Sequence, residues 1–248
     1  MTLRDFFSEN PKAALAFSGG VDSAYLLYAA RKLGADVRPY YVKTCFQPAF
    51  ELRDGEKLTR ELGVPMTVVE TDILALDAVR ENPDNRCYFC KQAILGAIRE
   101  AAERDGYSLL LDGTNASDQV SDRPGFRALK ENGVRSPLRE AGLTKAEIRE
   151  RSREAGLFTW DKPAYACLAT RIPTGVPIRE EALGAIERGE EALTQLGFRD
   201  FRVRMLGKAA KLQVREKQLG MVLEKRARIR EALGKDFSDI LLDLEARA

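Results

Sequence analysis

Apolar and polar positions along this chain follow two alternating periods. Residues 13–17 form an unbroken apolar run of strand length, and residues 22–33 repeat their apolar positions at helical spacing, which predicts a buried strand followed by a helix. The rhythm recurs, with strand patterns at 37–44, 66–71 and 108–112 and helix patterns at 51–62, closed by Gly63, and from Cys87 to about residue 105. Strands alternating with helices of this length predict right-handed crossovers and a parallel sheet covered on both faces. Ligands of such sheets bind at the carboxyl ends of the strands. Residues 134–138 read as a short fifth strand, and Thr144-Lys145-Ala146-Glu147 is a capping box that starts a helix running to about residue 155. Two stretches break the rhythm with turn chemistry, Asn82-Pro83-Asp84-Asn85 and Arg123-Pro124-Gly125.

Beyond Trp160 the pattern changes. Residues 162–177 have no periodicity and hold three prolines, Cys167 and Arg171, and loops of that length are usually functional or disordered. A helix at 180–196, strands at 199–205 and 211–215, a helix at 218–233 and a strand at 239–244 then predict a small α+β domain with an antiparallel sheet. The expected organisation is an α/β parallel-sheet nucleotide domain over 1–160, a cysteine-bearing loop over 161–178 and the small α+β domain over 179–248.

Composition narrows the possible functions. Lys plus Arg number 40 against 38 acidic residues, so a net charge of +2 gives no general attraction to nucleic acid. No apolar run reaches the length of a membrane span, and the amino terminus, with Asp5, Glu9 and Asn10, lacks a signal-peptide core, so a cytoplasmic protein off the membrane is expected. The chain has no histidine, which removes the commonest general base and the commonest type of zinc ligand. Any metal must rest on carboxylate or on the four cysteines, Cys45, Cys87, Cys90 and Cys167, which are too few for a disulfide scaffold in a chain of 248 residues.

The glycines of Ser18-Gly19-Gly20-Val21-Asp22-Ser23 fall on the turn between the first strand and helix. Without Cβ atoms they let backbone N–H groups close on a phosphate at a helix N-terminus. Ser18 and Ser23 can donate hydroxyl hydrogen bonds, and Asp22 is a magnesium ligand by type. A Walker loop would end in Gly-Lys-Ser/Thr, which is absent. The string instead looks like the PP-loop of the ATP pyrophosphatase superfamily. Asp112-Gly113-Thr114-Asn115 forms a second polar turn at a strand end, placed to face the same nucleotide.

Cys87-x-x-Cys90 at a helix start suits redox, zinc and iron–sulfur chemistry alike. Adding Cys167 gives three thiolates, which suit a four-iron four-sulfur cluster with one iron left without a protein ligand. The rivals are a structural zinc site completed by Cys45 and reactive thiols without metal. Lys91, Lys162 and Arg171 lie beside cysteines in sequence and can steady a thiolate or bind an anionic substrate. Arg202-x-Arg204 on a strand puts two guanidiniums on one face, which suits a bidentate phosphate site or a solvated surface with ion pairs.

Taken together, these motifs, with Arg86-Cys87-Tyr88-Phe89-Cys90-Lys91, residues 133–138, Cys167-Leu168-Ala169-Thr170-Arg171 and Leu242-Asp243-Leu244-Glu245, resemble the LarE family of ATP-dependent sulfur transferases nearly end to end. The resemblance implies the substrates ATP and pyridinium-3,5-biscarboxylic acid mononucleotide, whose carboxylates become thiocarboxylates, with magnesium at Asp22. It implies a [4Fe-4S] cluster on Cys87, Cys90 and Cys167, fed by a sulfide or persulfide donor, because this chain has the cysteines of the three-cysteine type. Relatives with only the cysteine matching Cys167 surrender that residue's own sulfur. The resemblance further implies catalytic roles for Cys167, Asp22 and Lys91, a substrate-phosphate site at Arg202, Arg204 and Glu190, and a homo-oligomer, hexameric in the family. Other readings of the residues are a transfer-RNA thiolase, a PP-loop amidating enzyme and a nucleotide-binding protein with structural zinc.

Overall fold

The computed structural model describes residues 1–119 and 124–247. The chain forms two units, Met1–Ile73 with Asn85–Tyr165, and Leu74–Asp84 with Ala166–Ala248.

The first unit opens with α1 (Leu3–Glu9), capped reciprocally by Thr2 and Asp5, which the hydrophobic pattern did not reveal. It continues through β1 (Lys12–Ala16), α2 (Val21–Lys32), β2 (Asp36–Lys43), α3 (Ala49–Leu62) and β3 (Thr67–Glu70). The chain gives α4 (Asp77–Arg80) to the second unit and returns with α5 (Arg86–Arg104), β4 (Leu110–Leu111), α6 (Pro124–Glu131), α7 (Pro137–Glu140) and α8 (Lys145–Glu154). The four strands are parallel in the order β3-β2-β1-β4. Along β1 the side chains divide by period two. Ala13, Leu15 and then Phe17 pack with Leu26, Leu27 and Ile148, whereas Ala14 packs with Leu95, Ile98 and Leu129. Helices therefore cover both faces, which is why the strand reads as an uninterrupted apolar run.

The expected fifth strand at 134–138 shrinks to a single bridge between Leu111 and Arg135. Pro137, without an N–H, cannot extend the ladder and instead begins α7. Arg123 of the expected turn lies outside the described residues, and Pro124 and Gly125 begin α6.

The second unit contains a 3-10 turn at Leu168–Arg171, then α9 (Glu180–Gln195), β5 (Arg202–Leu206), β6 (Ala209–Gln213), α10 (Leu219–Glu224), α11 (Arg226–Leu233) and β7 (Ile240–Leu242). β5 and β6 are antiparallel, but β7 runs parallel to β6, so the sheet is mixed rather than antiparallel. The helical crossover through α10 and α11 returns the chain in the same direction. The helix expected over 218–233 breaks at Lys225, whose ammonium donates to the Leu196 carbonyl at 2.6 Å.

Residues 74–84 fall in the sequence region expected to belong to the nucleotide domain, yet they cluster with the second unit. The physical reason is Asn82. It is 1% exposed, adopts a left-handed φ of 55°, and its side-chain amide donates to the carbonyls of Pro173 (2.9 Å) and Val176 (3.1 Å). Backbone bonds from Gly175 to Asn82 and from Ile178 to Arg80 complete the seam. Among the described residues, no helix is long and apolar enough to cross a membrane.

Candidate active site

Strand order determines which turns meet. β1 pairs with β2 on one side and β4 on the other, so the turns leaving β1 and β4 emerge side by side at the carboxyl edge of the sheet, where the chain's direction of winding reverses. The first turn is Phe17 to Gly20. Gly19 takes a φ of +68°, and a Cβ there would stand 3.1 Å from the Glu51 carbonyl oxygen. Gly20 is the N-cap of α2 and has no side chain to occupy the first-turn N–H groups. The hydroxyls of Ser18 and Ser23 lie 3.2 Å apart, and Ser23 also donates to the Gly20 carbonyl at 3.2 Å, so the two serines brace the turn across its mouth. Lys162 supports it from behind, with its ammonium 2.7 Å from Asp54 Oδ2 and 3.3 Å from the Gly19 carbonyl.

The second turn presses on the first. A Cβ on Gly113 would stand 3.0 Å from the Ser23 backbone nitrogen, so this glycine is required by close approach. Asp112 is buried and accepts from Ser136 Oγ at 2.6 Å, from the Thr114 backbone N–H at 3.2 Å and from the Thr114 hydroxyl. Asn115 is buried and donates to Asp22 Oδ1 at 3.4 Å. The other oxygen of Asp22 receives Lys145 Nζ at 2.5 Å from the start of α8. The structure thus brings together the residues read from the two turns, Ser18 to Ser23 and Asp112 to Asn115. It adds Lys145, Lys162 and Ser136, each distant in sequence.

Among the described residues, no disulfide joins Cys45, Cys87, Cys90 or Cys167. Cys87 and Cys90 lie three residues apart at the start of α5 and so share a face, with Cys87 exposed and Arg86 Nη2 4.0 Å from its sulfur. Lys91 follows on the same helix, its side chain near Gly125. Cys45 follows β2 in this unit, whereas Cys167 belongs to the second unit. Among the described residues, no three cysteine or carboxylate side chains are gathered as a metal-binding group.

In the second unit Cys167 opens the turn Leu168–Arg171, and this turn is fastened to the arginine strand. Arg171, 1% exposed, makes a bidentate pair with Glu190 at 2.8 and 3.2 Å and donates to the carbonyl of Ala166 at 2.9 Å. Glu190 also accepts the Val203 N–H at 3.1 Å, so its carboxylate aligns α9, the Cys167 turn and β5. Arg204 donates to the Thr170 carbonyl at 2.6 Å and to Gln213 at 2.5 Å. Arg202 is buried 3.8 Å from Asp200, which also pairs with Arg215 and Arg247. Burial, followed by repulsion from Arg171 and Arg247, pushes Arg202 down to about 10 and lowers Arg204 as well. Cations held together against burial and mutual repulsion form a site suited to an anion. The left-handed φ of Asp200, 51°, marks a built corner here that residue type alone did not announce.

No family model matches the chain. The chain is 37% identical over 221 residues to an uncharacterized protein of Synechocystis, covering 88% of this chain and 81% of that relative. It is 30% identical over 240 residues to the pyridinium-3,5-bisthiocarboxylic acid mononucleotide synthase of Lactiplantibacillus plantarum, covering 94% and 86% respectively. A tRNA-specific 2-thiouridylase, MnmA of Pseudothermotoga lettingae, is 27% identical over 188 residues, which is 61% of this chain and 54% of that protein.

Proposed function

This chain belongs to the pyridinium-3,5-bisthiocarboxylic acid mononucleotide synthase (LarE) family of sulfurtransferases, and from that premise we propose that it adenylates the carboxylates of pyridinium-3,5-biscarboxylic acid mononucleotide with ATP and exchanges an oxygen of each for sulfur. A carboxylate resists nucleophiles because it is anionic and its oxygen leaves poorly. In the proposed sequence a carboxylate oxygen attacks the α-phosphorus of ATP, the bond to the β-phosphate oxygen breaks, and pyrophosphate departs. Sulfide then bonds to the acyl carbon, and AMP leaves with the original oxygen. Neither step needs a histidine, since the sulfur nucleophile is already anionic and AMP leaves without protonation.

The single observation that carries the nucleotide half of this reading is the meeting of the two turns beside β1. Ser18, Gly19, Gly20, Val21 and Ser23 would hold the departing phosphates through N–H and hydroxyl donors, and Asp112 to Asn115 would complete the nucleotide site. Asp22, a half-buried carboxylate beside that cradle, has the hard oxygen donors that magnesium requires, and magnesium there would offset the charge developing on pyrophosphate. In the second unit Arg202 and Arg204 would hold the substrate phosphate. Glu190 contributes through Arg171 and Val203 rather than by touching an anion.

Cys87, Cys90 and Cys167 are thiols of the soft type that iron–sulfur groups take, and three such ligands would leave one iron of a four-iron cluster open. A cluster there would supply a labile sulfide as the nucleophile. Cys167 stands one turn from Arg171, in the same unit as the arginine pair, an arrangement that also supports this cysteine as a donor of its own sulfur.

Pyrophosphate release from ATP should require the pyridinium substrate and fall at least tenfold in Asp22→Ala. Release that is independent of both would sink the proposal. Anaerobic reconstitution should give a brown chromophore lost in Cys87→Ala, and mass spectrometry after turnover should find Cys167 intact. Dehydroalanine at Cys167 would replace the cluster route with the sacrificial one.

A further inference from the structure

The carboxylate assigned to magnesium already has a cation on it. Lys145 Nζ lies 2.5 Å from Asp22 Oδ2, and both side chains reach solvent, at 33% and 23% exposure. Lys162, the other lysine at this loop, is only 14% exposed and is held between Asp54 and a carbonyl, so it braces the turn from behind. Lys145 instead reaches Asp22 from the solvent side, opposite the buried Asn115, beside the uncapped start of α2. Its own backbone is fixed, because its N–H donates to Ser117 Oγ at 3.0 Å and Thr144 caps α8, leaving the four-carbon stem as the mobile part. Two cations on one carboxylate oxygen repel at contact distance, so magnesium and Lys145 exclude each other there.

We propose that Lys145 is a phosphate-binding residue that exchanges partners. Without nucleotide it occupies Asp22 and keeps magnesium off that carboxylate. When magnesium arrives with ATP, the ammonium turns to the departing pyrophosphate and adds a charge-assisted bond to it. The loop is thereby biased against metal alone and toward metal with phosphate. This inference rests on the assignment of Ser18 to Ser23 and Asp22 to the magnesium–pyrophosphate site.

The test is titration calorimetry on the full chain with magnesium chloride alone and with magnesium pyrophosphate, using wild type, Lys145→Ala, Lys145→Gln, Lys145→Arg and Asp22→Ala, with circular dichroism to confirm folding. If the alanine variant fails to fold, the glutamine variant carries the comparison. Loss of the ammonium should tighten magnesium alone about tenfold and weaken magnesium pyrophosphate about tenfold, and arginine should restore most of the pyrophosphate affinity. A merely structural role would weaken both together. That result, or no change in either, overturns the inference. If Asp22→Ala removes pyrophosphate binding while the Lys145 variants keep it, only this inference falls. If Asp22→Ala binds magnesium pyrophosphate as wild type does, the assignment of the site falls with it.

Discussion

Gly113 shows how a single missing carbon sets the distance between the two turns proposed to hold the nucleotide. A methyl group there meets the Ser23 nitrogen at 3.0 Å and the Asp22 Cβ at 3.3 Å, and neither belongs to a flexible side-chain end. Gly113→Ala is expected to cost about 1–3 kcal/mol in a urea unfolding measurement and to weaken ATP binding, because the first turn of α2 must shift to make room. Glu190 has the opposite dependence, since removing atoms does the damage. Glu190→Ala leaves the Arg171 guanidinium, 1% exposed, without its carboxylate, and the expected loss is about 3–5 kcal/mol by the same measurement. The residues legible in the sequence were those whose chemistry is contiguous, as in Ser18 to Ser23, or periodic, as in Arg202-x-Arg204. Lys145 was not legible as a site residue. It stands 123 positions from Asp22, and a lysine inside a capping box looks like any other helix-start residue. Ser136, 24 positions from Asp112, was hidden for the same reason, because only the sheet order brings the two together.

At the scale of elements, period and caps predicted β1 to β4 and α2, α3, α5 and α8 to within a few residues, because they bury a defined face or have a local stop signal such as Gly63, whereas the short α1, α6 and α7 were not read from the pattern. What the pattern could not supply was pairing. β7 reads as apolar in either direction, and only its hydrogen bonds to β6 make it parallel. The capping box of α8 has its own test. Thr144→Ala removes the acceptor of the Glu147 N–H, should cost about 1 kcal/mol, and should also loosen the placement of Lys145.

β5 carries the pH dependence of the proposed anion site. Burial pushes Arg202 down to about 10 in the fold, well below the ordinary guanidinium range, so above about 10 the unfolded chain keeps a proton that the native chain releases. Its charge therefore opposes folding at every pH below about 10, and that opposition lifts as pH rises through 10. Bound anion offsets the repulsion and draws the proton back. Sulfate affinity should be flat from neutral pH to about 9 and fall above about 10, whereas Arg202→Gln should bind weakly throughout with a flatter profile. Calorimetry across that range reads both.

For the whole molecule, near-zero net charge and the absence of histidine leave function to local constellations. The homo-oligomer implied by the family resemblance is an expectation at this scale. Light scattering should give six times the mass of one chain, and a monomer mass would remove that expectation.

The discontinuous second unit sets an order of events during synthesis. Asn82 is made early, but its side-chain amide waits for the carbonyls of Ile172, Pro173 and Val176, which lie 90, 91 and 94 residues further on. At about 5–20 residues per second the ribosome leaves residues 74–84 without those partners for roughly 5 to 20 seconds. During that interval the first unit can close around its sheet with this segment looped out. A chaperone that grips nascent chains would find the segment around Asn82 accessible throughout that window and protected after it.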